Sequence, residues 1–140
     1  MRFVSVHDMA AWIGETGPEK IIADLVAALE VDFARWESFE REPRVASHSA
    51  LGVIELMPTS DGELYAFKYV NGHPSNPSRG FQTVTAFGVL SDVETGYPLF
   101  LAEMTLLTAL RTAATSGLAA RWLARPDSSR MAMIGAGSQA

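Results

Sequence analysis

Apolar positions recur every three to four residues in one long stretch near the start of the chain. The middle instead gathers them into short runs broken by turn residues. The periodic stretch holds Ile21, Ile22, Leu25, Val26, Leu29, Phe33 and Trp36, with Asp24, Glu30, Asp32 and Glu37 on the opposite side. That spacing predicts an amphipathic helix over roughly residues 18–39, and Pro18 suits its first turn. Ahead of it, Arg2-Phe3-Val4-Ser5-Val6 predicts a short strand. Ser5 followed by Asp8 carries the capping-box signature of a short helix ending near Ile13, with Gly14 and Gly17 expected to break it.

Four runs rich in β-branched, aromatic or aliphatic residues predict strands: Val53 to Met57, Leu64 to Val70, Thr83 to Leu90 and Tyr97 to Glu103. Turn residues separate them at Pro58 to Gly62, Asn71 to Pro77 and Asp92 to Gly96. Connections this short favour antiparallel neighbours. Asp92-Val93-Glu94-Thr95-Gly96 reads as a hairpin loop with its glycine at positive φ. A second helix is predicted from Thr105, which can cap it, through Leu123, with Pro126 and Asp127 marking its end. Met131-Ala132-Met133-Ile134 then resembles a buried parallel strand. The order predicts an α+β unit, helices with a mostly antiparallel sheet, followed by the opening of a different unit. The division is placed between residues 112 and 113.

Composition narrows the choices. Of 140 residues, 48% are hydrophobic and 19% charged, so a packed core is expected and global disorder is not. A net charge of −5 argues against nucleic acid as a partner. With no cysteine, disulfides, thiolate metal sites and a cysteine nucleophile are excluded. No apolar run approaches the roughly 18 residues of a membrane span, and Asp8 falls where a signal peptide would be apolar. A cytoplasmic protein is expected. The acidic excess lies in residues 1–65, while residues 66–140 are slightly basic. That asymmetry points either to an anionic ligand in the second half or to nothing more than a well-solvated first long helix.

Candidate chemistry is sparse. Gly135-Ala136-Gly137-Ser138-Gln139-Ala140 fits the G-x-G-x-x-A form of a dinucleotide-binding turn. There the first glycine permits a tight turn, the second admits a pyrophosphate, and the small sixth residue lets helix and strand pack. The helix and the acidic residue that should follow are missing, so the chain is expected to be the N-terminal part of a longer protein. Arg111 stands in a helix of small and apolar residues, in a polar stripe with Thr108, Thr112 and Thr115. A guanidinium so placed is expected to be poorly solvated and to want a fixed anion. It could equally pair with Glu103 or extend to water. Lys68, between Phe67 and Tyr69 on a predicted strand, reads by itself as a solvent-face lysine, and Arg44 as a loop cation paired with Glu42. His7, His48 and His73 share no metal-ligand spacing, so no metal is expected.

Longer motifs add to this. Arg-Val-Ala-Ser-His-Ser (44–49), Gly-Val-Ile-Glu-Leu-Met-Pro (52–58), Phe-Lys-Tyr-Val-Asn-Gly-His-Pro (67–74) and Gln-Thr-Val-Thr-Ala-Phe-Gly-Val-Leu (82–90) run in order. Asp-Val-Glu-Thr-Gly-Tyr-Pro-Leu (92–99), Glu-Met-Thr-Leu-Leu-Thr-Ala-Leu-Arg-Thr-Ala-Ala-Thr-Ser (103–116) and Ile-Gly-Ala-Gly-Ser-Gln-Ala (134–140) complete the series. Together they resemble the ornithine cyclodeaminase/mu-crystallin family, on its bacterial cyclodeaminase side. The resemblance implies a substrate-binding and dimerisation domain over residues 1–112. Residues 113–140 would be a connecting helix and the first strand of a truncated Rossmann domain for NAD. It implies that Arg44, Lys68 and Arg111 grip a substrate carboxylate. Thr83, Arg111, Thr112, Gly135, Gly137, Ser138 and Gln139 would contact the cofactor.

The reaction implied begins with hydride transfer from Cα of L-ornithine to NAD⁺, giving an imine. The side-chain amine attacks, ammonia leaves, and the returning hydride gives L-proline. The general base of the family matches no position up to residue 140, so turnover by this chain alone is not expected. Two other readings stand beside this one. One is another NAD(P)-linked amino-acid dehydrogenase or imine reductase of the family, and the other a non-catalytic dimeric binding module.

Overall fold

The capping box at Ser5 forms in the computed structural model, which describes residues 1–137. The Ser5 hydroxyl accepts from the Asp8 amide at 3.2 Å, and the Asp8 carboxylate accepts from the Ser5 amide at 2.9 Å. The Ser5 hydroxyl also donates to the Asp8 carboxylate at 2.7 Å, and this bond first, then the one from the Ser5 amide, holds the Asp8 carboxyl below the usual aspartate range. These bonds join strand β1 (Arg2–Val4) to helix α1 (Val6–Thr16). Gly14 does not break α1. An interior glycine costs a helix only about 1 kcal/mol, and α1 ends instead where Gly17 takes φ +85°. Helix α2 (Pro18–Ala34) stops short of the expected residue 39. The apolar period continues to Trp36, but residues 36–38 wind into a 3₁₀ turn, and Trp36 stacks on Phe33 at 5.8 Å.

Strands β2 (Val45–Ser49), β3 (Gly52–Ser60), β4 (Leu64–Gly72), β5 (Ala86–Asp92) and β6 (Pro98–Glu103) complete a mixed sheet in the order β1-β6-β5-β4-β3-β2. Among the described residues only the β1–β6 pairing is parallel. β2 was not among the expected strands; it is an exposed edge strand with little apolar signal. β3 runs past Pro58 because β2 stops pairing at Leu56, which leaves proline's missing donor without a neighbour to satisfy on that side. The β5–β6 hairpin closes as expected, with Gly96 at φ +70° and the Asp92 carboxylate accepting from the Thr95 amide at 2.7 Å.

Helix α3 (Thr105–Leu123) has the predicted bounds but a different cap. The Glu103 carboxylate accepts from the amides of Thr105 and Leu106. The Thr105 hydroxyl is engaged by Ala86, whose amide donates to it at 3.0 Å. α2 and α3 pack through Val26, Ala114 and Leu118, flanked by Ile22, Leu25 and Leu29. The cross-strand row of Gly88 and Ala102, with Ala86 beside it, gives the sheet a flat floor for Met104 and α3. A Cβ on Gly88 would lie 2.7 Å from Met104 Cε and 2.9 Å from the Phe67 carbonyl.

The opposite face holds Phe3, Ile54, Leu56, Tyr69, Phe87 and Leu101 by strand alternation. Phe3 is 64% and Phe87 44% exposed. Met131–Ile134 is not a strand: Met131, Met133 and Ile134 are exposed. A parallel strand needs a paired neighbour and covered faces, and the described residues offer this segment neither. No helix among the described residues is long and apolar enough to cross a membrane.

Candidate functional site

Alternation along β4 turns Ala66, Lys68 and Val70 to one side of the sheet. Lys68 is opposed by Met57 on β3 and Gly88 on β5, and Val70 by Glu55 and Ala86. That side is the one packed by Met104 and α3. Lys68 is therefore half-buried rather than on a solvent face. Glu55 pairs with Ala46 of β2, and Arg44, two residues before Ala46, lies on the same side. Its Nη1 donates to Glu55 Oε1 at 3.3 Å and Oε2 at 3.5 Å. Arg44 is thus paired with Glu55 and not with Glu42.

Burial pushes the Lys68 ammonium below the usual lysine value, and the charges of Arg111 and then Arg44 push it further; Glu55 alone opposes them. Three cations therefore act within one region that holds a single carboxylate among the groups acting on Lys68. An excess of cations over carboxylates of this kind suits a bound carboxylate.

Arg111 does not have the poorly solvated environment its helix suggested; it is exposed. Its side chain lines an opening of about 170 Å³ beside α2, with Leu29, Asp32, Trp36 and Thr59. Glu103 is occupied in capping α3, so Arg111 has no pairing with it.

Thr83 is not in a strand, because β5 begins at Ala86. Its carbonyl accepts from the His73 amide at 2.9 Å. Segment 82–84 faces the first turns of α3 across a cleft of about 400 Å³ lined by Gln82, Thr83, Val84, Thr105, Leu106, Thr108 and Ala109. The Thr108 hydroxyl oxygen is sealed from solvent and has no partner among the described residues. Thr112 sits one turn along α3, its carbonyl accepting from the Ser116 hydroxyl at 3.2 Å. Gly135 adopts φ +97° but, like Gly137, lies in an exposed segment without strand or helix. Ser138 and Gln139 lie outside the described residues. The described residues contain no group of three His, Asp or Glu side chains able to hold a metal.

Sequence reasoning missed Glu55. The available signal was an acid between Ile54 and Leu56 inside an otherwise apolar run.

Comparisons with known proteins agree with this architecture. The family model for the ornithine cyclodeaminase/mu-crystallin family matches residues 6–140. The chain is 64% identical over 137 residues to an ornithine cyclodeaminase from Agrobacterium fabrum, covering 98% of this chain and 39% of that protein. Among solved structures it is similar to a lysine cyclodeaminase studied for recognition of L-lysine, L-ornithine and L-2,4-diaminobutyric acid (TM-score 0.88, 31% identity, 98% of this chain, 42% of that one). It is likewise similar to an archaeal alanine dehydrogenase dimer with bound NAD (TM-score 0.81, 31% identity, 98% and 41%). The chain thus spans about two-fifths of the relatives it matches. With most of its length matched by the family model and its fold shared with these enzymes, the chain belongs to the ornithine cyclodeaminase/mu-crystallin family.

Proposed function

We propose that this chain forms the substrate-binding and dimerisation part of an NAD-dependent, cytoplasmic ornithine cyclodeaminase. In this reading residues 1–112 hold the substrate, and residues 113–140 lead into the dinucleotide-binding unit. The observation that carries it is that Arg111 and Arg44 both act on the half-buried Lys68, with Glu55, paired to Arg44, beside it. Arginine supplies paired donors of fixed geometry and lysine a point charge, so the three orient the α-carboxylate of L-ornithine. Glu55 accepts from an ammonium of the same substrate.

The cleft between segment 82–84 and α3 fits a neutral polar group such as the carboxamide of a nicotinamide. Its polar lining, from Gln82, Thr83, Thr105 and Thr108, is uncharged. Thr83, Arg111 and Thr112 would hold NAD there, with Gly135 and Gly137 at its pyrophosphate and Ser138 and Gln139 beside them. NAD supplies hydride acceptance at the substrate's Cα and later hydride return. The chain's own residues would fix Cα by its carboxylate.

Relatedness to a dimeric dehydrogenase and the uncovered apolar sheet face support a homodimer through β1, β6, β5, β4 and β3. The reading is tested in a chimera in which this chain replaces the matching 137 residues of the Agrobacterium fabrum enzyme. Release of ammonia from L-ornithine with NAD⁺ is expected. A folded, NAD-binding chimera that releases none would favour the non-catalytic dimeric module.

A further inference from the structure

The segment that carries Thr83 is a thirteen-residue excursion between β4 and β5, from His73 to Thr85, and exposed for much of its length. Its return is held both by backbone bonds and by the side chain of Asn71. Asn71 Oδ1 accepts from both the Thr85 amide and the Thr85 hydroxyl, each at 2.7 Å. The Asn71 amide donates to the Thr85 carbonyl at 3.1 Å, and two residues on the His73 amide donates to the Thr83 carbonyl at 2.9 Å. Asn71 Nδ2 meets His73 Nδ1 at 3.1 Å, which joins the two anchor points into one unit. The unit is backed by Gly52: a Cβ there would lie 2.9 Å from His73 Cγ and against the Gly72 carbonyl. A second asparagine, Asn76, holds the start of the excursion by donating to the Gln82 carbonyl at 3.0 Å.

The bonds to Thr83, Thr85 and Gln82 hold the backbone of the segment whose residues 82–84 form one wall of the cleft facing Thr105 and Thr108. None touches the Arg44, Lys68 and Glu55 group. We propose that Asn71 is a positioning residue for the cofactor: through Thr85 it sets where Thr83 stands, and so presets the cleft for a nicotinamide. This rests on the reading above that the cleft takes NAD. An amide is suited to the task where a carboxylate or a hydroxyl is less so. Its oxygen takes the two donors of Thr85 while its nitrogen donates to the histidine, without bringing a charge into a neutral cleft. Loss of the clamp leaves the wall to fluctuate, and a misplacement of about 1 Å in such a contact is enough to weaken binding many-fold.

The test uses the chimera and two separate readouts, Kd for NAD⁺ by calorimetry and KM for L-ornithine. Asn71→Ala is expected to weaken NAD⁺ binding about tenfold while KM for ornithine at saturating NAD⁺ stays within about twofold. Asn71→Asp keeps the acceptor for Thr85 and is expected to recover part of the loss. Thr85→Val, which removes one donor and leaves the fold intact, is expected to weaken NAD⁺ in the same direction by less. Unchanged NAD⁺ affinity in Asn71→Ala, or in Thr85→Val should the former not fold, overturns the proposal. So does an equal loss toward both ligands. Failure of the unsubstituted chimera to bind NAD⁺ at all would instead sink the cofactor reading beneath it.

Discussion

Arg44 Nη1 lies 3.3 Å from Glu55 Oε1, joining the residue just before the edge strand to the strand inside it. Neither partner is sealed from water, and an exposed ion pair of this kind contributes little stability by itself, about 0–1 kcal/mol. Its value is in what it leaves over. Lys68 and Arg111 share the neighbourhood, so the carboxylate of Glu55 is outnumbered and the site carries positive charge in reserve. In the proposed reading substrate binding would complete the set, an α-carboxylate meeting the cations and an ammonium group the acid.

Lys68 gives this a pH signature. Burial first, then Arg111 and Arg44, lower its pKa from the ordinary 10.5. Between the lowered value and 10.5 the unfolded chain binds a proton that the folded chain has released. Stability therefore increases as pH rises through that window, and it is the charged ammonium, at lower pH, that penalises the fold. Lys68→Met removes this increment. Urea unfolding midpoints measured against pH should rise in the parent chain relative to Lys68→Met across the window. Parallel curves would contradict the burial argument.

In the proposed reading the two arginines act on the ligand more than on the fold. In the chimera, Arg44→Ala and Arg111→Ala should each raise KM for L-ornithine about 10–100-fold, the worth of a charge-assisted hydrogen bond. Thermal midpoints should move little, because both side chains are largely exposed. A KM within twofold of the parent for either variant would return that arginine to the surface.

Helix α3 depends on an acid that comes before it. Glu103→Ala leaves the amides of Thr105 and Leu106 without their acceptor and should cost about 1 kcal/mol, as the loss of an N-terminal cap does. Thr105→Val, by contrast, acts through the contact with Ala86 and not through the helix end. Urea unfolding of both variants distinguishes the two roles. An unaffected Glu103→Ala would mean that the orphan amides are served by water.

The uncovered sheet face makes a prediction about assembly. Phe87 stacks on Tyr69 at 5.0 Å and stands near the middle of the apolar row. Phe87→Glu places a charge there and should convert a dimer to a monomer in sedimentation analysis, with the far-ultraviolet spectrum retained. A variant that stays dimeric would move the interface elsewhere.

How much of this was legible in the chain depended on how local the signal was. The capping box at Ser5, the span of α3 and the Asp92–Gly96 hairpin rest on residues within a few positions of one another, and all three form as read. The cap of α3 was assigned to Thr105 because its hydroxyl is of the capping type; the contact with Ala86, nineteen positions away in sequence, takes that hydroxyl instead. Lys68 reads by itself as a solvent-face lysine and is half-buried, again for a reason distant in the chain. Its flanking aromatics are equally compatible with either face, and the choice is made by Gly88 and Met104 across the sheet. Met131–Ile134 has the composition of a buried strand, but composition does not supply the paired neighbour that such a strand needs. The convergence of Arg44 and Arg111 on Lys68 spans distant stretches of chain; only the family resemblance hinted at it from sequence.

The central claim, that the cations are assembled to seize a carboxylate, is tested most directly by removing the carboxylate from the ligand. In calorimetric titration of the NAD⁺-loaded chimera, L-ornithine is predicted to bind and 1,4-diaminobutane, which keeps the amines and lacks the acid, to bind at least about 100-fold more weakly. Equal affinity for the two compounds would contradict the account.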